Sequence, residues 1–360
     1  MTAAETLKAL PGLRTDQARA AILFYDGQFD DSRLLIGLAC TAASLGAVLL
    51  NYMPVTSFLS DASGCVAGVA VRDHETGQIL ECSARIVINA TGAFSDTLRK
   101  LAGLSEPQVT TSRGSHVVLN RSFLPSENAL LVPETKDGRV LFAIPWHGHT
   151  LLGTTDVAIS DAPLEPRPSG EEIDFILDTA AGYLEKKPRR ADILSAWAGI
   201  RPLVRSGGKG TAQISRDHSI QSEPNGLITI VGGKWTTYRR MAQDCVDLAM
   251  KQGGLPPRRS GTADIRILET SVPPGNRSEL DPCARWTGND VLPFVRDEMA
   301  CTVEDVLARR TRLLFLNARA AGAAAPEVAR LLATARGKDA AWADEQIETF
   351  QQTAEGYLVA

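Results

Sequence analysis

Residues 228–240 read ITIVGGKWTTYRR: an apolar run, two glycines and then the polar start of a helical pattern. The run predicts a buried strand that ends at Gly232 and Gly233, followed by a helix that begins at Thr236 or Thr237. Glycine lets a ligand approach the backbone, and the unpaired amides at a helix start attract negative charge. The stretch therefore predicts a strand–turn–helix unit of an α/β fold, and these residues alone fit an ordinary joint somewhat better than a binding site at this strand end.

A second apolar run also ends at a glycine, in IVINATG at residues 86–92. Many α/β strands end this way, so this run alone is weak support for a site. A Gly-x-Gly-x-x-Gly dinucleotide fingerprint should precede such strands, yet the chain contains none. The glycines of residues 64–68 have the wrong spacing and lie at a predicted hairpin, and residues 206–211 (SGGKGT) lack the spacing of a phosphate-binding P-loop.

Upstream of these runs, apolar residues recur with helical spacing. We predict a buried helix from residue 33 to about residue 45, capped by Ser32, and a buried strand over residues 48–52. Residues 34–50 carry no charge, but they are rich in Ala, Gly, Ser and Thr and end abruptly at Asn51, so we interpret them as core rather than as a membrane span. Three short strand signals separated by turn sequences then predict a small antiparallel meander: residues 55–59, 66–72 and 79–81.

From about residue 110 to residue 203, short apolar runs recur around one helix signal at about residues 170–184. This recurrence of short apolar runs around one helix predicts a mixed sheet in a separate domain. A pair of prolines at residues 256–257 marks a further boundary.

After about residue 274 the pattern is nearly all helical. There, Thr302 with Asp305 resembles a capping box, Pro326 suits a helix start and Gly337 suits a helix stop. The C-terminal part of the chain is therefore predicted to be a helical domain.

The composition is that of an ordinary globular chain of two or three domains, with 44% hydrophobic and 22% charged residues. The formal net charge of -4 argues against a general nucleic-acid binder, which would normally carry a basic face. The six cysteines include no C-x-x-C pair, which argues against a zinc ribbon or a thioredoxin-type site. Apolar surroundings of most cysteines, and the lack of an apolar signal-peptide core in the first 20 residues, favour reduced cysteines in a cytosolic protein.

Four basic side chains stand beside apolar runs: His116, Arg201, Arg216 and Lys234. An arginine before a proline at the end of an apolar run is atypical of plain surface, and a guanidinium suits bidentate phosphate binding. His116 is also compatible with a core histidine whose hydrogen bonds are satisfied. His147 and His149 flank a glycine and follow a proline closely, which indicates an exposed turn rather than a metal-binding pair.

Nine segments together resemble the FAD-dependent glycerol-3-phosphate dehydrogenases of the aerobic, quinone-linked type. They occur in the order of that family and span nearly the whole chain. The segments are FYDGQFDDSRL (24–34), INATGAFSD (88–96), RGSHVVL (113–119), RVLFAIPW (139–146), LLGTTD (151–156), WAGIRPLV (197–204), ISRDHSI (214–220), GGKWTTYRR (232–240) and EMACTVEDVLARRTRLLFL (298–316).

The resemblance implies an α/β fold of the FAD-dependent oxidoreductase type, with a FAD-binding domain built from two pieces of the chain. We expect the first part of that domain at residues 1–105 and the second at residues 205–260. A mixed-sheet substrate-binding domain would occupy residues 106–204, and a C-terminal all-helical domain would occupy residues 261–360.

The resemblance also implies the residues that face the cofactor and the substrate. His116, Arg201 and Lys234 would be catalytic, and Arg216 together with Arg201 would bind the substrate. The residues expected near the flavin are Val55, Ala90, Thr91, Gly92, Gly233, Lys234, Thr236 and Thr237.

The implied reaction moves a hydride from C2 of sn-glycerol 3-phosphate to the N5 atom of FAD and yields dihydroxyacetone phosphate, after which a membrane quinone accepts the electrons. Oxidation of the alcohol needs removal of its O–H proton and stabilisation of the developing alkoxide. His116 is suited to act as the base, because the ordinary pKa of histidine is the nearest to neutral pH. Arg201 and Lys234 are suited to stabilise the alkoxide, and Arg216 is suited to bind the phosphate. The sequence leaves the division among these four side chains open.

The resemblance further implies a cytoplasmic protein that associates peripherally with the inner face of the cell membrane, and it is compatible with a homodimer. In that family a segment with the first strand and the glycine fingerprint precedes the point that matches Met1, so we expect these 360 residues alone to bind FAD poorly. A catalytically inactive fragment, or a subunit that needs a partner, is the alternative. A FAD-dependent amine or amino-acid oxidase fits less well, because those enzymes bind carboxylates and lack segments 214–218 and 309–316 in this form.

Overall fold

The computed structural model describes residues 1–16, 20–132, 135, 138, 140–205, 217–269 and 288–359. In chain order its strands are β1 Val55–Ser60, β2 Val66–Arg72, β3 Ile79–Ser83, β4 Ile88–Asn89, β5 Val109–Asn120, β6 Leu130–Val132, β7 Leu141–Trp146, β8 His149–Gly153, β9 Val157–Ile159, β10 Ile193–Val204, β11 His218–Ser222 and β12 Ile228–Gly232. Its α-helices are α1 Ala3–Ala9, α2 Asp31–Ser44, α3 Ser95–Leu101, α4 Gly170–Tyr183, α5 Tyr238–Gln252, α6 Gly288–Glu298, α7 Leu313–Leu316, α8 Ala318–Arg336 and α9 Ala340–Glu355.

The largest sheet has six strands and is built around the long strand β5. Its strands pair antiparallel in the order β10-β5-β8-β7-β6, and β9 pairs with the first half of β5. One face of β5 directs Val117 and Leu119 into an apolar core, which α4 closes with Ile176 and Leu177. The predicted helix over about residues 170–184 is therefore confirmed, and it covers one side of this sheet.

A three-stranded sheet places two loops at one edge. β12 pairs antiparallel with β11 and parallel with β4, where Ile228 lies opposite Ile88. α5 covers β12 because Cys245 and Ala249 pack with Ile228 in one apolar cluster. Since β4 and β12 run parallel, the loops that follow them leave the same edge of the sheet.

The predicted meander is confirmed as the antiparallel sheet β1-β2-β3. The prediction of a buried strand over residues 48–52 is wrong, because these residues have no regular secondary structure and Val48 is 87% exposed. A strand needs a neighbouring strand for its backbone N–H and C=O groups, and apolar side chains alone do not supply that neighbour.

The predicted helix near the start of the chain is α2, which begins at Asp31. Its cap is Asp30, whose carboxylate accepts the Arg33 N–H at 2.9 Å, so the prediction of Ser32 as the cap is wrong. The side chain of Leu35 is 58% exposed, so the helix is only partly buried. In the part of the chain that the structure describes, no helix is long and apolar enough to cross a membrane.

From residue 288 onward the described chain is almost entirely helical, as the sequence predicts. α6, α7, α8, α9 and a π-helical turn at Asp305–Arg310 share one apolar core. Val328 and Leu332 of α8 are fully buried in it. The α/β class with a C-terminal helical region is therefore confirmed.

The ends of these helices test three signals of the sequence. Thr302 and Asp305 form the predicted capping box, since each backbone N–H donates to the other side chain, at 3.2 and 3.1 Å. Gly337 ends α8 with a φ of +65°, also as predicted. The prediction of Pro326 as a helix start is wrong: it lies inside α8, because the Asn317 side chain caps that helix well before it. Packing of the buried residues around the proline outweighs the hydrogen bond that it cannot donate.

Two arginines join the helical region to the start of α2. Arg33 forms a bidentate ion pair with Glu298 of α6, at 2.8 and 2.7 Å. Arg312 donates to Ser32 Oγ at 2.7 Å and to Asp31 Oδ1 at 3.0 Å. The C-terminal helices are thus tied to the first long helix of the chain.

Candidate active site

One face of the six-stranded sheet has a clear centre with polar and aromatic side chains around it. Paired residues of antiparallel strands share a face, and so do alternate residues along one strand. In the register of β5 with β10 and β8, the centre of this face holds Gly114, His116, Gly153, Trp197, Gly199 and Arg201. Gly114 and Gly153 are buried beneath the Arg201 and His116 side chains, whereas Gly199 is exposed.

His116 occupies room that Gly153 leaves open, since a Cβ at Gly153 would overlap the imidazole ring. The imidazole stacks on Trp197, with ring centroids 4.3 Å apart and planes 20° apart. Burial, and then the charge of Arg201, lower the pKa of His116 to about 4, while the Gly114 backbone opposes the shift in part. His116 is therefore a neutral imidazole near pH 7 and can accept a proton.

The guanidinium of Arg201 lies over Gly114, where a Cβ would overlap it. Its Nη1 donates to the Thr155 carbonyl at 3.1 Å, and its Nη2 donates to Thr154 Oγ1 at 3.1 Å. Nη1 is also 3.5 Å from Asp156 Oδ1, and 33% of the Arg201 side chain is exposed. The guanidinium is therefore held by the 154–156 segment, while a third of the Arg201 side chain stays exposed.

The loops after β4 and β12 both meet the end of β10. A Cβ built on Gly92 would lie 3.8 Å from Pro202 Cγ, and one built on Gly232 would overlap Val204. Pro202 follows Arg201 directly. The fold thus brings both glycine loops next to the strand segment that carries the candidate arginine.

Asn89 shapes the loop after β4. Its Oδ1 accepts the Thr91 hydroxyl at 2.7 Å, and its Nδ2 donates to the Ser95 carbonyl at 2.9 Å. Ala90 and Thr91 are exposed, and Gly92 adopts a φ of +57°. The loop therefore offers backbone and hydroxyl groups at the sheet edge.

The loop after β12 leads into a helix with exposed polar side chains. Gly233 has a φ of +77°, a conformation that glycine adopts without strain. Lys234 precedes a short 3₁₀ turn, Trp235–Thr237, which continues into α5, so the helical segment starts close to the predicted position. Lys234, Thr236 and Thr237 are exposed, and the first N–H groups of a helix have no partner within it.

The remaining candidates lie elsewhere. Val55 begins β1, in a different sheet from both loops, and Arg216 lies outside the described residues. His147 belongs to the turn between β7 and β8, with its Nε2 3.2 Å from Asp30 Oδ2, and His149 Nδ1 lies 2.8 Å from the His147 carbonyl oxygen. Among the described residues, no three side chains group as metal ligands.

The sequence reasoning did not single out Trp197, Gly114 or Gly153. Strand periodicity carries a signal for Trp197, because steps of two residues back from Arg201 along β10 reach it. A glycine inside a strand pattern often marks a close approach of another group, and that signal applies to both glycines.

Comparison with known proteins decides the family. The family model described as FAD dependent oxidoreductase matches residues 1–239, more than half of the chain. The chain belongs to the FAD-dependent oxidoreductase family. A second model, described as the C-terminal domain of alpha-glycerophosphate oxidase, matches residues 228–345 and covers most of the helical region.

Curated relatives are similar along most of this chain. A mitochondrial glycerol-3-phosphate dehydrogenase of Arabidopsis thaliana is 46% identical over 263 residues, which cover 71% of this chain and 42% of that protein. The mitochondrial glycerol-3-phosphate dehydrogenase of Homo sapiens is 36% identical over 414 residues, which cover 99% of this chain and 56% of that protein. The chain spans about half the length of the curated relatives it matches.

Solved structures show the same architecture. The glycerol-3-phosphate dehydrogenase of Bacillus halodurans, complexed with FAD, superposes with a TM-score of 0.85 over 99% of this chain and 79% of that one, at 25% identity. The glycine oxidase of Geobacillus kaustophilus is similar in fold alone, with a TM-score of 0.51 over 72% of this chain and 64% of that one, at 23% identity. These likenesses confirm the fold type predicted from the sequence.

Proposed function

We propose that the protein oxidises sn-glycerol 3-phosphate to dihydroxyacetone phosphate with FAD as its cofactor. The observation that carries the proposal is the sheet face that His116 and Arg201 share, beside two glycine loops. A neutral base next to a fixed cation suits the removal of a proton from an alcohol that becomes an alkoxide. The relatives from Arabidopsis thaliana and Bacillus halodurans, which are named glycerol-3-phosphate dehydrogenases, support this substrate.

The two glycine loops fit a flavin. Both leave one sheet edge and expose backbone, and the second continues into a helix start, whose free N–H groups favour negative charge. FAD, when bound, supplies the acceptor for the hydride from C2 of the substrate. The residues that would hold it are Ala90, Thr91, Gly92, Gly233, Lys234, Thr236 and Thr237.

Different side chains of this chain would remove the proton of the substrate hydroxyl, stabilise the alkoxide and bind the phosphate. His116 is neutral near pH 7 and is our candidate to accept the proton of the substrate hydroxyl. Its lowered pKa makes it a weak base, so the transfer depends on the cations that stabilise the alkoxide. Arg201 and Lys234 stabilise the alkoxide that this proton transfer creates. Arg216 is our candidate for the phosphate, with Arg201 as a second contact, because a guanidinium fork suits phosphate oxygens.

We further propose a membrane quinone as the electron acceptor and peripheral attachment to the inner face of the cell membrane, as the resemblance to the quinone-linked type implies. A short-chain quinone added without oxygen should reoxidise the substrate-reduced protein faster than buffer alone. Equal reoxidation rates with and without the quinone would contradict this acceptor.

Anaerobic stopped-flow absorbance tests the proposed function. Glycerol 3-phosphate mixed with the FAD-loaded protein, prepared with the family's N-terminal segment joined to this chain, should bleach the flavin, whereas glycerol and glycine should not. Bleaching by glycine alone would place the protein among the amino-acid oxidases. Absence of bleaching by every substrate would support the catalytically inactive alternative.

The same assay tests Lys234. Its side chain is exposed, so Lys234→Met should keep the fold and most FAD binding. We expect flavin reduction to slow by roughly 100-fold, because one electrostatic contact to the developing alkoxide is lost. Lys251→Met, an exposed lysine in the last turn of α5, is the matched control. Reduction of the Lys234→Met protein at the wild-type rate would remove Lys234 from the chemistry.

A further inference from the structure

A buried carboxylate lies behind the candidate active site, on the other face of the six-stranded sheet. Glu172, in the first turn of α4, is only 5% exposed. Its Oε1 accepts the hydroxyls of Thr155 at 2.6 Å and Ser115 at 2.8 Å. Its Oε2 accepts the Arg113 guanidinium at 2.6 Å and the Ser169 N–H at 2.9 Å. Four donors match the number of acceptor sites on a carboxylate.

These donors keep the Glu172 carboxyl group ionised. Burial alone would raise its pKa, but the hydrogen bonds from Thr155, Ser169, Ser115 and Arg113 together lower the pKa below the ordinary value for glutamate. A buried anion with every acceptor site occupied has one stable arrangement, and it therefore orients the groups that donate to it.

Thr155 connects this carboxylate to the active-site face. Its hydroxyl donates to Glu172 and also accepts the Ser115 N–H at 2.9 Å. Its carbonyl accepts Arg201 Nη1 at 3.1 Å, while Thr154 accepts Arg201 Nη2 at 3.1 Å. Glu172 therefore fixes the short segment that holds two N–H groups of the candidate arginine.

We propose that Glu172 is a positioning residue, which acts through Thr155 to set the place of the Arg201 guanidinium on the opposite face of the sheet. This rests on the proposed function, since that function assigns Arg201 to the substrate. The competing role is structural: Glu172 forms a capping box with Ser169 at the start of α4, and loss of a cap lowers stability without moving an active-site group.

Three variants separate the two roles. Thr155→Val removes the hydroxyl at nearly constant size, Thr155→Ser retains it, and Glu172→Gln removes the charge. We expect Thr155→Val and Glu172→Gln to lower kcat/KM for glycerol 3-phosphate between roughly tenfold and a hundredfold, because the guanidinium is displaced. Thr155→Ser should retain most of the activity. Glu171→Gln, an exposed residue of the same helical turn, is the matched control and should leave kcat/KM unchanged.

An Arg201→Ala background makes the test specific. If Glu172 acts through Arg201, then Glu172→Gln and Thr155→Val lower kcat/KM no further in that background, because no guanidinium remains to be positioned. A purely structural role predicts the same relative fall in both backgrounds, and that result would overturn the proposal.

Crystal structures distinguish a failure of this proposal from a failure of the proposed function. In the Thr155→Val protein, the Arg201 guanidinium should leave the carbonyl of residue 155, and in the Glu171→Gln protein it should stay. A guanidinium that stays in place in Thr155→Val overturns the positioning role, and this milder variant decides the matter even where Glu172→Gln does not fold. If Arg201→Ala alone leaves kcat/KM unchanged, the assignment of Arg201 to the substrate fails. If the wild-type protein does not oxidise glycerol 3-phosphate, the proposed function fails, while the position of the guanidinium still decides whether Glu172 positions Arg201.

Discussion

Two glycines determine where the two candidate catalytic side chains stand. A Cβ at Gly153 would overlap the His116 imidazole, and a Cβ at Gly114 would overlap the Arg201 guanidinium. If the His116 ring moved away from such a Cβ, it would lose its stacking on Trp197. If the Arg201 guanidinium moved away, it would lose its hydrogen bonds to residues 154 and 155. The absence of a side chain at each glycine is therefore part of the shape of the site.

Gly153→Ala tests this at one residue. The added methyl should displace the imidazole and slow flavin reduction by glycerol 3-phosphate at least roughly tenfold, since small misplacements of a catalytic group have large effects on rate. Gly182→Ala is the control, because it lies in α4, away from this face, and a Cβ there meets no atom within 4 Å. Equal reduction rates for the two variants in stopped flow would show that the imidazole position is unimportant.

The lowered pKa of His116 makes stability depend on pH. The pKa is about 4 in the folded protein and 6.5 ordinarily, so between these values the unfolded chain binds a proton that the folded chain does not. The free energy of unfolding therefore falls as the pH drops from 6.5 towards 4, by at most about 1.4 kcal/mol per pH unit. Urea unfolding at several pH values gives the slope of the free energy of unfolding against pH. This slope should be smaller in His116→Asn than in the wild type, and it should be unchanged in His74→Asn, because His74 is exposed. Identical slopes for His116→Asn and wild type would contradict the assignment.

At the scale of secondary structure, helix α2 is held in place by an ion pair near its N-terminus as well as by its apolar face. Leu35 is 58% exposed, whereas the Glu298 side chain that receives Arg33 is 1% exposed. Removal of one partner from such a pair leaves an uncompensated buried charge. The Arg33–Glu298 contact therefore holds α2 against α6.

Arg33→Met should lower the free energy of unfolding by about 3 kcal/mol, because Glu298 would keep its charge in a buried place without its main partner. Arg296→Met is the control on α6: its side chain is 68% exposed and pairs with the neighbouring Asp297, so we expect a change within about 0.5 kcal/mol. Denaturant unfolding of both variants measures the difference. A loss for Arg33→Met as small as that of the control would show that the pair contributes little.

In the whole molecule, the C-terminal helices pack against the sheet face that carries the candidate active site, at Trp197. Trp197, which stacks on His116, meets Phe315 edge-on at 5.4 Å, and Phe315 meets Tyr357 at 5.5 Å. Arg312 lies over the Phe315 ring at 4.6 Å and reaches Ser32 and Asp31 of α2. The helical region therefore packs directly against the six-stranded sheet. The domain limits at residues 105, 204 and 260 stay a prediction.

Arg312→Met tests this coupling. We expect the wild-type helices and sheets to melt together, and the variant to melt roughly 5–10 °C lower, with the helical region first, because its charged contacts to α2 are lost. Differential scanning calorimetry would show the added transition. Arg319→Met, an exposed arginine at the start of α8, should melt like the wild type. A single unchanged transition in the Arg312→Met protein would show that the two regions are coupled by other contacts.

Local signals predicted a large part of this molecule. The glycine loops at residues 90–92 and 232–233, the meander β1-β2-β3, helix α4 and the Thr302–Asp305 capping box depend on residue periodicity and turn chemistry within a few positions. Local signals failed where a distant partner decides the outcome. Residues 48–52 are apolar enough for a strand but do not pair with one, and Pro326 lies in a helix whose cap is elsewhere.

The sequence by itself determined that His116, Arg201 and Lys234 stand beside apolar runs, and the catalytic roles that the family resemblance implies for them stay predictions. Only the tertiary structure decided that His116, Trp197 and Arg201 share a face, because this follows from the register of β5 with β10 and β8. A register shift of one residue would move the side chains of one strand to the opposite face of the sheet. The role of the buried Glu172 was equally hidden, because three of its four donors, on Arg113, Ser115 and Thr155, reach it only when α4 packs behind the sheet.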